Sequence, residues 1–133
     1  MDIERLDHLV LTVRNVARTC AFYRGVLGME EITFRGSRRG LRFGTQKINL
    51  HEQGNEFEPK AAVPMPGSAD LCFITETPLS ECMARCRARA IEIVEGPVRR
   101  AGACGAIESF YVRDPDGNLI EISRYVDDET PDE

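Results

Sequence analysis

Residues 110–125 read FYVRDPDGNLIEISRY, and this stretch decides how the rest of the chain is read. Two segments rich in aromatic and β-branched residues flank Asp114, Pro115, Asp116 and Gly117. Proline presets one turn dihedral, aspartate bonds to nearby backbone and glycine accepts positive φ, so the four residues predict a tight connection. Strands over 108–113 and 118–125 then form a hairpin. Inside the second strand Glu121 stands between Ile120 and Ile122, where a carboxylate is costly to bury without a partner.

Upstream of the hairpin, residues 69–75 (ADLCFIT) read as a strand. Pro78 suits the first position of a helix capped by Thr77, with Leu79, Cys82, Met83, Cys86 and Ala90 on its buried stripe. Residues 91–94 read as a strand, and a glycine-rich loop is expected over 96–105. The first half of the chain has the same order. Residues 7–13 (DHLVLTV) read as a strand buried on both faces, and Asn15 caps a helix. Val16, Cys20, Tyr23 and Leu27 fall at helical spacing, and Gly28 offers a left-handed stop. Strands follow over 30–34, 40–43 and 47–51, parted by turns at Gly36 and Gly44.

These halves are an internal repeat of strand, helix and three strands. His8 aligns with Asp70, and Asn49 with Glu121. The expected organisation is one α+β domain over 1–133. Its first βαβββ module covers 3–53, a proline- and glycine-bearing linker 54–68, and its second module 69–125. The acidic tail 126–133 is expected to fray.

With 42% hydrophobic and 29% charged residues the composition is globular, and no apolar run reaches the length of a spanning helix. The opening MDIERLDHLV lacks a basic-then-apolar leader, so a cytoplasmic protein with no membrane partner is expected. A net charge of -5 argues against a nucleic-acid partner. Five cysteines without a CxxC pair read as free thiols, with Cys82 and Cys86 as small core residues.

The opening HLVLTVRNVARTCAFYRGVLGMEE and the closing FYVRDPDGNLIEISRY resemble the vicinal oxygen chelate (glyoxalase, bleomycin-resistance and dioxygenase) superfamily. KINLHE and FITE are similar to proteins grouped as glyoxalase domain-containing protein 5. The resemblance implies two βαβββ modules whose strands form an incomplete barrel around a divalent metal. Its ligands would come from the first and last strands of each module, here His8, Asn49, Asp70 and Glu121. Nickel, zinc, iron, manganese and magnesium are not distinguished by these residues.

His8 and Glu121 have the donor chemistry of a Lewis-acid metal site, and His51 is the third candidate ligand. His51 or Asp70 completes the set, and the catalytic base is expected to be Glu121, with Asp70 as the alternative. Asn49, Asp70 and Arg38 are expected to bind substrate or support the ligands. Arg38, with Arg35 and Arg39, has the forked geometry that holds a carboxylate or phosphate. Glyoxalase I enzymes usually carry glutamate where Asn49 stands and commonly histidine where Asp70 stands, and extradiol dioxygenases also expect histidine there. The expectation is therefore a glyoxalase-like lyase or isomerase that binds neighbouring oxygens of a small substrate, a thiol conjugate among the candidates. A non-catalytic antibiotic- or small-molecule-binding protein and an Fe(II)-dependent dioxygenase are the alternatives. By family analogy the chain forms a homodimer.

Overall fold

A strand with apolar residues at alternate positions has one face to bury, and in each half of this chain a single helix buries it. The fold was obtained as a computed structural model, which describes residues 1–127. The first half runs β1 (His8–Val13), α1 (Val16–Gly25), β2 (Glu30–Phe34), β3 (Arg38–Phe43) and β4 (Gln46–Glu52). The second runs β5 (Asp70–Ile74), α2 (Leu79–Ala88), β6 (Glu95–Gly102), β7 (Gly105–Arg113) and β8 (Leu119–Tyr125). The sheet orders are β1-β4-β3-β2 and β5-β8-β7-β6, so both expected βαβββ modules are present. β1 pairs parallel with β4 and β5 with β8, and the remaining pairings are antiparallel. Each sheet ends in edge strands and does not close on itself.

Two compact units follow these modules. The first holds Met1–Ala69 and the second runs from Asp70. Pro115–Gly117 of the hairpin turn groups with the first unit, where Asp116 Oδ1 accepts from the Arg14 backbone N–H at 3.1 Å and from its Nη1 at 3.2 Å. Asp114 holds the turn's far end by accepting from the Asn118 backbone N–H at 3.0 Å and from Asn118 Nδ2 at 2.8 Å.

In the first unit Leu11, Val13, Leu41, Ile48 and Leu50 are buried, as are Cys20, Phe22, Tyr23 and Val26 from α1 and its end. β1 is not buried on both faces as expected: Val10, between those core positions, is 46% exposed. Asn15 caps α1 by accepting the Arg18 N–H at 2.9 Å. The helix stops where Gly28 takes φ +72° and donates to Arg24 O at 3.1 Å.

The second core is built on Leu79, Met83 and Cys86 of α2 against Phe110, Val112, Ile120 and Ile122. Here four sequence expectations are corrected. Pro78 and not Thr77 occupies the cap position, where proline has no side-chain acceptor to offer, and the Thr77 N–H turns back to Thr75 Oγ1 at 3.1 Å. Residues 91–94 are not a strand. The expected glycine-rich loop is instead β6, which pairs with β7 from Val98↔Ser109 to Gly102↔Gly105 across a two-residue turn. Glycine composition suggested a loop, but the cross-strand partners on β7 complete a ladder there. Ala90 lies beyond the helix and is exposed, and so leaves the buried stripe. The tail from residue 128 lies outside the described residues.

Ala90 takes φ +59° just after the α2 cap residue Arg89, as Gly28 takes φ +72° shortly after the α1 cap residue Val26. A Cβ is unfavourable in that conformation, whereas glycine adopts it freely. Ala90→Gly should therefore stabilise the protein by roughly 1 kcal/mol, less the entropy glycine gains in the unfolded chain. A urea-unfolding midpoint that fell, with unchanged slope, would contradict this reading.

Candidate functional site

The faces of the two sheets that carry no helix hold the chemically active side chains, and strand register assigns their members. In the first unit His8 pairs laterally with Lys47, Val10 with Asn49 and Thr12 with His51. Gly40 lies beside Asn49 on the other side. Side chains of lateral partners share a face, so His8, Lys47, Asn49 and His51 stand together with Arg38 and Phe34 on the helix-free side. In the second unit Asp70 pairs with Leu119, Cys72 with Glu121 and Ile74 with Ser123, while Tyr111 pairs with Glu121 and Ser109 with Ser123. Asp70, Cys72, Glu121, Ser123, Ser109 and Tyr111 therefore share the helix-free face.

The two registers are equivalent. His8 is diagonal to Asn49 by one strand and two residues, and Asp70 is diagonal to Glu121 in the same way. Diagonal neighbours lie about 7–8 Å apart at Cα, within reach of side chains this long. His51 does not join His8: it stands four residues along β4 from Lys47, roughly 13 Å of strand. The amide and carboxylate positions of the repeat thus accompany His8 and Asp70, and His51 occupies the other end of its face.

Around His8 the structure adds a residue that sequence reasoning passed over. Asp7 Oδ1 lies 3.0 Å from His8 Nδ1, and that bond holds the Asp7 carboxyl below its ordinary range. The pair is exposed, with 45% of the His8 side chain accessible. Asn49 Oδ1 is buried and finds no hydrogen-bond partner, and the same holds for His51 Nδ1. Phe57, from the segment after β4, packs edge-on against His51 at 5.6 Å between ring centroids. Burial pushes the His51 imidazole below its usual pKa, a shift that nearby Arg38 and Lys60 reinforce and Glu56 opposes.

Glu121 has a more enclosed setting. Its Oε2 accepts from Ser109 Oγ at 2.6 Å and from Ser123 Oγ at 3.4 Å, and the two hydroxyls lie 2.6 Å apart. Ser109 and Ser123 are buried, so these bonds satisfy a carboxylate that its isoleucine neighbours cannot. Cys72 Sγ lies 3.3 Å from Ser123 Oγ, and burial pushes its thiol pKa up. Tyr111 accepts from Arg100 Nε at 3.1 Å, and burial raises its phenol. The supporting serines were legible only through alternation: once Glu121 faces one side of the hairpin, Ser123 follows it by two residues and Ser109 opposes Ser123.

Among the described residues no three His, Cys, Asp or Glu side chains are gathered to hold a metal ion. Each unit alone contributes two positions, His8 with Asn49 and Asp70 with Glu121. Arg38, the expected substrate contact, lies in the first unit with its guanidinium 4.1 Å from the Phe57 ring centroid. Of the cysteines, Cys20 and Cys86 are buried and all five are free.

Comparison with known proteins places these faces in context. Residues 5–122 match the family described as the Glyoxalase/Bleomycin resistance protein/Dioxygenase superfamily. The chain is 60% identical over 126 residues to the virulence protein STM3117 of Salmonella typhimurium, covering 95% of this chain and 88% of that protein. Its crystal structure superposes with a TM-score of 0.93, over 95% of this chain and 100% of the other. A glyoxalase domain-containing protein, RDO1 of Mycosarcoma maydis, is 50% identical over 96% of this chain and 72% of its own length. The fosfomycin resistance protein FosX of Listeria monocytogenes, solved with Mn(II) and sulfate, shares the fold at 22% identity, with a TM-score of 0.66 over 96% of this chain and 95% of that chain.

The depressed His51 pKa has a consequence for stability. Between the folded and unfolded pKa values the unfolded chain binds more protons, so the contribution is complete above about pH 6.5 and declines as pH falls through the folded value. Between pH 7.5 and 5.5 the wild-type protein should lose more unfolding free energy than His51→Phe. Parallel pH profiles for the two would rule this out.

Proposed function

The chain belongs to the Glyoxalase/Bleomycin resistance protein/Dioxygenase superfamily, and on that premise we propose that it is a metal-dependent, glyoxalase-like enzyme acting on neighbouring oxygens of a small substrate. One observation carries the reading: the two strongest donors each have one atom already engaged by a supporting group. His8 Nδ1 is bonded to Asp7, and Glu121 Oε2 to Ser109. Metal-ligating histidines characteristically give their second nitrogen to a carboxylate, and ligating carboxylates are themselves hydrogen-bonded.

A divalent cation fits this donor chemistry. His8 and Glu121 would hold it, with Asn49 and Asp70 at the equivalent register positions as the further oxygen donors. The unpartnered Asn49 Oδ1 is an acceptor that a cation would satisfy. His51, displaced along β4, is assigned to substrate and not to the metal. When bound, the metal would act as a Lewis acid, stabilising negative charge on the substrate's paired oxygens.

The protein's own groups supply the rest. The hydroxyls of Ser109 and Ser123 hold the Glu121 carboxylate in place by donating to its Oε2 at 2.6 and 3.4 Å. As general base Glu121 would accept a proton from carbon next to a carbonyl and return it to the neighbouring carbon, which is an isomerisation with no net loss of atoms. Arg38 and His51 would orient the substrate's other end.

Elemental analysis and turnover of the full chain with methylglyoxal plus a thiol test the reading together. Near-stoichiometric metal is expected, with turnover abolished by a chelator and restored on reloading. His8→Ala and Glu121→Ala should lose the metal, and Ser109→Ala should weaken its binding about 10–100-fold. Equal metal content in the parent and in His8→Ala and Glu121→Ala would sink the assignment. Tight small-molecule binding without turnover, unaffected by chelator, would favour a ligand-sequestering protein instead.

A further inference from the structure

On the helix-free face of the first sheet, two basic side chains stand out by what they lack. Several arginines of this unit are matched to a carboxylate: Arg14 to Asp116 at 3.2 Å, Arg24 to Glu31 at 2.8 Å, Arg42 to Glu30 at 3.7 Å, and Arg39 also to Glu31. Arg38 and Lys47 are stacked on phenyl rings. The Arg38 guanidinium lies 4.1 Å from the Phe57 centroid, and Lys47 Nζ lies 4.1 Å from that of Phe34. Among the described residues neither has a carboxylate within ion-pairing distance.

A ring face holds a cation in place without cancelling its charge. Both side chains are half-buried, so much of their rotamer freedom has already been given up before any ligand arrives. Register explains how one ring comes to link them. Phe34 is the lateral neighbour of Arg38 on β2, and Lys47 is four residues along β4 from the position beside Arg38. The Phe34 ring reaches Lys47 by crossing Gly40, where a Cβ would come within 3.4 Å of Phe34 Cε1 and 3.0 Å of Ile48 O. Gly40 thus leaves the space in which the Phe34 ring, rooted beside Arg38, meets Lys47.

We propose that Arg38 and Lys47 form a preorganised anion subsite, and that the natural ligand is a small organic anion, a carboxylate or a phosphate, with an apolar body. Arg38 supplies a forked donor that matches two oxygens of either group, and Lys47 a point charge. Phe34 and Phe57 supply the apolar walls. The subsite deepens the metalloenzyme reading by naming its substrate class, yet all its members belong to the first sheet and the loop after it, and it operates without a metal.

Titration of the full chain after metal stripping separates the two. Benzoate should bind saturably and its neutral isostere benzamide should not, with inorganic phosphate competing if a phosphate is accepted and failing to compete if the site takes carboxylates alone. Arg38→Gln and Lys47→Ala should each weaken benzoate binding about 10–100-fold, the worth of a charge-assisted hydrogen bond. Arg42→Ala, whose charge is matched by Glu30, should leave it unchanged. Phe57→Leu keeps both charges but frees Arg38, and should cost a smaller factor. Circular dichroism of each variant confirms that the fold is retained. Benzamide binding as well as benzoate, wild-type affinity in Arg38→Gln and Lys47→Ala, or no binding of either anion at millimolar concentration would overturn the subsite. Loss of metal binding in the preceding experiment would leave these results untouched.

Discussion

The parallel pairing of first and last strands is the constraint on which everything else in each module depends. A parallel pair cannot be closed by a tight turn, so the chain must leave β1, cross through α1 and return through two antiparallel strands before β4 can dock. The helix covers one face of the sheet and takes the alternating apolar residues with it. The other face keeps the intervening residues, which include every charged or amide group considered for function. Burial and chemistry are separated by the period of the strand.

That separation also sets the electrostatics. On the helix side of the first sheet, Arg39 and Glu31 are partly buried and offset each other, as charges removed from water must. On the helix-free side neutralisation is incomplete: Arg38 and Lys47 are held by rings, and Asn49 Oδ1 and His51 Nδ1 have no partner. In the second sheet Glu121 accepts from the hydroxyls of Ser109 and Ser123. One face therefore presents positive charge and unsatisfied polar atoms, and the other a supported carboxylate. Such surfaces carry the cost of function, because a purely structural sheet would have paired or omitted these groups.

Much of this was legible in local sequence. The Asp114–Gly117 turn, the Asn15 cap, the Gly28 stop and the strand at Glu30–Phe34 all follow from chemistry within a few residues. The repeat alignment of His8 with Asp70 and Asn49 with Glu121 also survives, since both pairs occupy identical register. Apart from the burial of β1, the errors gathered in residues 77–105. There β6 carries glycines and arginines that favour no strand, and only its ladder with β7 makes it one. Likewise Ala90 sits in a conformation that alanine alone would avoid.

Element order, family and the residue types available for chemistry could be read from the chain alone, because those rest on short-range periodicity, turn residues and motifs. Tertiary structure decided which of these residues share a face and which have partners. That Asp7 engages His8, that Ser109 supports Glu121, that His51 stands away from His8 and that Arg38 rests on a ring are facts of register and packing. The physical reason is that one residue of strand shift reverses every side chain, and no local preference specifies that shift until the sheet is assembled against its helix.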